Sequence, residues 1–279
     1  MFFIHKIKII SGLIILYLVC SSYLFSLGYD NKNRPVDRKP FEPEVGEELV
    51  YKVSYAFFSL GEIHLRVLDK VVSDDKISYK TIAYIDSYKG IPFVDLHETY
   101  ESTLNRNIFS NWFQSQSRKN SEIRYVTYNF DYPNKKVYFE FGSSRGNVVT
   151  SKDTAKIDTF AQDGLSLFYF ARQNLFKGET VRIPTVVNEK VVNTTINFLN
   201  KTESVEIDAA NYPIDVVEFD GTADFEGIFG FTGKFEGWFS NDNERVPILA
   251  KMKVLIGKVR IELIKWTKTN WKPPAVTKR

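Results

Sequence analysis

Gly142-Ser143-Ser144-Arg145-Gly146 has the G-x-S-x-G spacing of a hydrolase nucleophile and follows a strand-like run. Such an elbow must continue into a helix that presents the serine above a sheet. Here Asn147-Val148-Val149-Thr150 follows, which is β-branched, and no histidine lies beyond His97 to act as base. The five residues read as a hairpin turn. Asp95, His97 and Glu98 are metal-ligand types, but strand alternation puts Asp95 and His97 on one face and Glu98 on the other. With His64 on a different strand, the ligand spacing of a metal site is missing, and a solvated strand edge accounts for the group. Asn241-Asp242-Asn243-Glu244 is rich in oxygen but lacks the spacing and glycine of a calcium loop. Gly227, Gly230 and Gly233 recur every third residue, which is neither a P-loop nor a dinucleotide fingerprint. Glu98 and Glu101 are a carboxylate pair that could work on a glycosidic bond, provided the fold holds their carboxyls ~5–9.5 Å apart. The sequence therefore predicts no catalytic constellation, metal or cofactor.

Two stretches suit binding better than chemistry. Phe225, Phe229, Phe231, Phe235 and Trp238 are interleaved with Gly227, Gly230, Gly233 and Gly237. Glycines within strands mark bends or close backbone approach, and large aromatics fill the space they leave. The segment reads either as the corner of a curved sheet with its core packing or as the wall of an apolar pocket. Residues 267–279 form a basic tail, with Lys268, Lys272, Lys278, Arg279 and Trp271 and no acid. It reads as a frayed end after Pro273-Pro274, or as a contact for an anionic membrane surface.

The elements that must position these residues are strands. Period-two alternation recurs from Leu49 onward: Tyr51, Val53 and Tyr55 against Lys52 and Ser54; Ile63, Leu65 and Val67 against Glu62, His64 and Arg66. It returns around residues 79–85, 126–130, 137–141, 181–187, 191–198, 204–208, 214–219, 246–255 and 258–266, with turn residues such as Tyr132-Pro133-Asn134 and Asn211-Tyr212-Pro213 between. A dozen or so short-spaced strands predict a mainly β fold, a large curved antiparallel sheet or open β-barrel. One amphipathic helix interrupts it at about 163–176. Leu165, Phe168, Tyr169, Arg172, Leu175 and Phe176 share a stripe, Asp163 can cap the start, and Gly178 follows the end. That stripe packs against the sheet or plugs its mouth.

The N-terminus is an export address. Met1 to Lys8 is basic and Ile9 to Gly28 is uncharged, so residues 1–28 are a signal peptide or a signal anchor. Cys20 is the only cysteine, and bulky Val19 before it disfavours lipidation. A cleaved chain would hold no disulfide and no thiolate site. Residues 29–43 form a polar linker and 44–266 a single β-rich domain. With 279 residues, 43% hydrophobic and 15% aromatic, the chain has ample material for a core. The net charge is +3, of which Lys6 and Lys8 in the leader supply two, so a nucleic-acid partner is excluded.

Several passages resemble an exported bacterial family known as domain of unknown function 3108. They are Val45-Gly46-Glu47-Glu48-Leu49-Val50-Tyr51, Leu60-Gly61-Glu62, and the Asp163-Gly164-Leu165-Ser166 helix start leading to Arg172. The most specific runs from Gly237-Trp238-Phe239-Ser240 through Asn241-Asp242-Asn243-Glu244-Arg245-Val246-Pro247 to Ile256-Gly257-Lys258-Val259. The resemblance spans residues 41–266 and implies a β-rich envelope protein with no assigned catalytic residue. On physical grounds Asp242 and Arg245 can brace the motif turn by hydrogen bonds while Pro247 starts a strand. The expected function is non-enzymatic binding of an apolar or amphipathic molecule, a lipid or glycolipid, in the periplasm or at the envelope membrane. An envelope assembly partner and a carbohydrate-active enzyme stand as alternatives, with membrane contact through residues 9–28 or the tail.

Overall fold

The computed structural model describes residues 38–74, 76–91, 95–119, 122–143, 148–226, 231–254 and 257–277. The leader, most of the linker, Ser144-Arg145-Gly146 of the hydrolase-like motif, and Phe229 lie outside the described residues. The first half of the body comprises β1 (Glu48–Tyr55), β2 (Phe58–Ser73), β3 (Lys76–Ser87), β4 (His97–Asn105), β5 (Ser110–Lys119), β6 (Glu122–Asp131), β7 (Lys136–Ser143) and β8 (Val148–Lys156). The second comprises β9 (Gln162–Asp163), helix α1 (Ser166–Asn174), β10 (Thr180–Val187), β11 (Lys190–Val205), β12 (Ile214–Glu226), β13 (Phe231–Ser240), β14 (Pro247–Val254) and β15 (Lys258–Thr267).

All the strands join one sheet in the order β8-β7-β6-β5-β4-β3-β2-β1-β15-β14-β13-β12-β11-β10-β9. It is an antiparallel meander whose first and last long strands meet at its centre, where Glu48 pairs with Thr267 and Tyr55 with Val259. Only two-residue β9 runs parallel, beside β10. Because hairpins alternate ends, the loops fall into two groups. One end gathers the chain entry before β1, the β11–β12 and β13–β14 loops, α1 and the C-terminal segment. The β1–β2, β3–β4 and β14–β15 connections lie at the other. Bulges at Val50/Tyr51, Phe141/Gly142, Phe198/Lys201 and Trp238/Phe239 bend the sheet. One continuous apolar core then runs from Phe113, Tyr128 and Phe139 in the first half to Phe198, Phe219 and Phe239 in the second.

The mainly β expectation holds, and several details differ. Helix α1 starts at Ser166, not Asp163, because the Asp163 backbone is occupied by its parallel bridge to Val186. The run at 191–198 continues into the start of the run at 204–208 as one long strand, β11, which ends at Val205 and has a positive φ of 51° at Asn200. Strand β5 has no clear hydrophobic alternation in sequence, since Ser and Gln occupy both of its faces. The C-terminal segment is docked rather than frayed. Trp271 is buried, Asp215 N–H donates to Pro274 O (2.8 Å), and Ala275 bridges to Ile214. The last linker residues also pack on the body, with Phe41 buried.

Glycines seat aromatic rings across strand pairs. Gly142 lies opposite Tyr125, Gly221 opposite Phe235 and Gly237 opposite Phe219. A Cβ at these glycines would fall 2.2–2.3 Å from the partner ring. The missing side chain lets the ring lie over the backbone, a known way to pin register in curved sheets. Gly61 is tighter in another sense: a Cβ there would stand 2.1 Å from the carbonyl oxygen of Asp86, on the backbone of β3. Gly61→Ala should therefore cost about 1–3 kcal/mol by overpacking. Gly164→Ala, with nothing within 4 Å, should leave the thermal midpoint near wild type. Thermal unfolding of the two variants side by side checks the pair.

Candidate functional site

Helix α1 is held at both ends by buried polar groups, and this decides which part of the concave sheet is filled. At its start the Asp163 carboxylate accepts the N–H groups of Leu165 (2.7 Å) and Ser166 (2.8 Å) and the hydroxyls of Ser102 on β4 and Ser110 on β5. Asp163 is fully buried, and burial pushes its carboxyl above 3.8 despite those hydrogen bonds. In the last turn Arg172, also fully buried, makes a two-pronged ion pair with Glu47 at 2.5 and 2.9 Å. It donates as well to the carbonyls of Glu244 (2.9 Å) and Arg245 (3.1 Å). Arg245 reciprocates, its guanidinium donating to the carbonyls of Arg172 (3.2 Å) and Gln173 (3.1 Å) at the negative end of the helix. Lys268 completes the cluster against Glu47 (3.1 Å), Glu244 (2.8 Å) and Glu44. The buried charges of Arg172, Lys268 and Glu47 are thus offset by near neighbours of opposite sign, with Glu44 and Glu244 at the cluster's exposed edge. Arg245 is held by backbone carbonyls.

Regular antiparallel pairing along the first half of the sheet divides its concave face into rows. On the α1 side, the row of Phe139, Tyr128, Phe113 and Ser102 is buried throughout. One row further from the helix, Phe141, Val126, Ser115 and Tyr100 are only partly buried, although three of them pack on the core. In the next row Ser143, Ser117 and Glu98 are part-exposed and Arg124 is exposed. The face therefore grades from dry core, through accessible apolar side chains, to a polar mouth that holds Arg124, Glu98 and Glu122. Glu122 lies 3.5 Å from the Arg124 guanidinium and accepts the Ser143 hydroxyl (3.0 Å). Burial pushes the Glu98 carboxyl above 4.5, opposed by the Ser117 hydrogen bond and the His97 charge. The Tyr100 phenol is raised by burial and then by Glu98.

The residues singled out in the sequence are distributed over both faces. Phe235 and Phe239 face the concave side, where Phe235 and Phe219 rings meet at 6.2 Å. Trp238 alternates to the convex side, its indole N–H donating to Glu203 and its ring beneath the Lys251 ammonium at 4.9 Å. Phe225 lies at the end of β12 and Phe231 at the start of β13. Asp242 braces its turn by accepting the N–H groups of Glu244 and Arg245 (both 3.0 Å), and it also accepts the indole N–H of Trp271 (2.8 Å). Arg245 sits at φ 49°; its backbone N–H joins the turn, and its side chain braces the helix. Pro247 opens β14, and its carbonyl accepts the Tyr51 hydroxyl at 3.1 Å. Glu98 and Glu101 point to opposite faces of β4, so the sheet keeps that carboxylate pair apart. His97 contacts Asp86 (2.7 Å) and Asp95 (3.5 Å), while His64 sits with Glu62 (3.0 Å). Sequence reasoning missed the Glu47–Arg172 pair, whose members are 125 positions apart. The usable signal was an arginine on an otherwise apolar helix stripe, which needs a buried counter-charge.

Comparison with known proteins agrees with this architecture. The family profile described as protein of unknown function DUF3108 matches residues 50–264. No curated protein matches the chain in sequence. Among solved structures, it is similar to a β-barrel-like protein of domain of unknown function DUF1849 from Brucella abortus, with TM-score 0.50 and 10% identity over 81% of this chain and 98% of that one. A Bacteroides fragilis protein of YmcC-like fold and inferred export also aligns, with TM-score 0.34 and 10% identity over 83% and 100% of the respective chains. Among the described residues no helix is long and apolar enough to cross a membrane.

The ion cluster fixes the acid behaviour of the fold. Burial alone would raise the Glu47 carboxyl, but the charges and hydrogen bonds of Arg172 and Lys268 hold it below its ordinary 4.5. A carboxyl whose folded pKa is depressed contributes stability that is present above its unfolded value and lost as pH falls through the folded one. Unfolding midpoints should therefore drop below pH ~4.5, and Glu47→Gln should flatten that part of the profile. At neutral pH, Glu47→Ala leaves Arg172 buried without its carboxylate and should cost about 3–5 kcal/mol by denaturant titration.

Proposed function

The chain belongs to the DUF3108 family of proteins of unknown function, and on that premise we propose that it is an exported envelope protein that binds an amphipathic, lipid-like molecule without transforming it. The observation that carries this reading is the gradient on the concave face of β4–β7. Phe141, Val126 and Tyr100 offer accessible apolar surface just beyond the helix-filled core. An acyl chain lying along them would leave its headgroup at Arg124, Ser117 and Glu98. Such a ligand removes apolar surface from water at ~25 cal/mol per Å² while its polar end stays at the wet mouth. Arg124 is exposed, and an anionic carboxylate or phosphate headgroup would have to share or displace its 3.5 Å contact with Glu122. The basic, then uncharged, leader supports export.

The test uses the chain from Tyr29 onward and an environment-sensitive fluorescent fatty acid. Saturable binding is expected, weakened about tenfold by Val126→Asp, which puts a charge on the apolar row. Arg124→Ala should weaken binding of the acid but not of its methyl ester. Absence of saturable binding, or a Val126→Asp protein that folds and binds as wild type does, refutes the reading. Native mass spectrometry of the purified protein then asks which lipid-like species it carries.

A further inference from the structure

The convex face of the same strands carries a different chemistry. Pairing places Trp112, Asn129, Tyr138 and Thr154 in one row across β5–β8. Gln114, Thr127, Glu140 and Lys152 form the next, and Gln116, Tyr125 and Gly142 a third. Aromatic rings thus alternate with amides and hydroxyls on a sheet face. A shallow groove of about 600 Å³ runs over its β6–β8 part, bounded by Asn129, Tyr138, Glu140, Lys152 and Thr154.

Two details make this face a prepared platform rather than ordinary solvated surface. Tyr125 is seated over Gly142, where a Cβ would fall 2.2 Å from the ring, so its ring lies along the sheet and turns one face outward. Tyr138, about 14 Å away by strand spacing and rise, is 40% exposed at the groove. Between them the amides are fixed in orientation: Gln116 Nε2 donates to Gln114 Oε1 (2.6 Å), and Gln114 Nε2 to Thr127 Oγ1 (3.0 Å). Within the rows Glu140 pairs with Lys152 at 3.1 Å, and Glu101 on the neighbouring β4 adds one further carboxylate beside Gln114.

From this we infer that the convex face of β5–β8 binds a neutral polysaccharide strand. A pyranose ring has an apolar C–H face that stacks on an aromatic ring, and a rim of hydroxyls that both donate and accept. Amides, threonine hydroxyls and a carboxylate match that rim. An acyl chain would need contiguous apolar surface, and a phosphate polymer would need unpaired cations; the rows supply neither. This site is separate from the concave face, so it stands whether or not a lipid binds there.

Co-sedimentation of the chain from Tyr29 onward with insoluble cellulose, chitin and curdlan, three neutral glycans, tests it. Retention on at least one polymer is expected, with Tyr138→Ala reducing the apparent affinity about tenfold, the effect of losing one aromatic anchor. Asn129→Ala with Thr154→Ala should reduce it again, with thermal midpoints unchanged for these exposed positions. Val126→Asp, which alters only the concave face, should sediment as wild type does. Retention on none of the three polymers, equal retention of folded Tyr138→Ala, or capture by phosphatidylglycerol vesicles in their place overturns the proposal.

Discussion

The charge pair between Arg172 and Glu47 is the constraint from which the rest of the arrangement follows. Both side chains are nearly or wholly removed from water, a situation tolerated only with close geometry and satisfied hydrogen bonds. Arg172 meets the condition with a two-pronged contact to Glu47 and two backbone carbonyls of the β13–β14 loop. The pair therefore ties together α1, the residues entering β1 and the loop entering β14. Lys268, just past β15, joins through the same carboxylate. Since β1 and β15 are the central seam of the sheet, the cluster closes that seam at one end and nails the helix across it. Such groups often contribute more to uniqueness than to net stability, because an apolar replacement would pack as well but in several registers. Asp163 does the equivalent at the start of the helix, reaching β4 and β5. With both ends fixed, α1 can fill only the near half of the concavity.

A fixed plug in a long curved sheet leaves a gradient. Side chains alternate across a strand, so the three shared strands β5–β7 present a graded apolar surface inside and a polar-aromatic surface outside. Phe113, Tyr128 and Phe139 pack inward while Trp112, Asn129 and Tyr138 point outward at adjacent positions. Glycine–aromatic pairs serve both faces. Gly221 and Gly237 let Phe235 and Phe219 lie flat on the inner side, and Gly142 does the same for Tyr125 on the outer. Ring placement on both faces therefore comes from one device.

Much of this was legible in the sequence because period two is a local property. Tyr51, Val53, Ile63, Leu65 and Val67 announce their strands from composition alone, and the α1 stripe announces a helix against the same core. Strand β5 escaped because Trp112 and Phe113 are adjacent and Ser and Gln fill the rest, so no alternation is visible. Its strand state is set by its neighbours, β4 and β6, rather than by its own residues. The tail misled for the opposite reason. Lysines with two prolines look like solvent-facing chain, yet Lys268 is the counter-ion of three carboxylates and Trp271 is anchored on Asp242. Pairings over such separations cannot be read from spacing. What could be read was the anomaly at Arg172, a cation where the pattern demands an apolar residue.

The division of the aromatic, glycine-rich segment shows how function and architecture share residues here. Phe235 and Phe239 line the concavity, whereas Trp238 turns out to Glu203 and Lys251 and is covered on the convex side. A contiguous pocket wall would need all of them on one face, which strand alternation forbids for neighbours such as Trp238 and Phe239. The segment thus serves mainly to carry the bend, and Asp242 and Arg245 after it carry the lock. Accessible surface is found instead in the first half, where the sheet runs beyond the reach of α1. The most family-like block of the sequence is accordingly the one that builds the scaffold. The surfaces able to meet a ligand lie in strands whose sequence looked least informative.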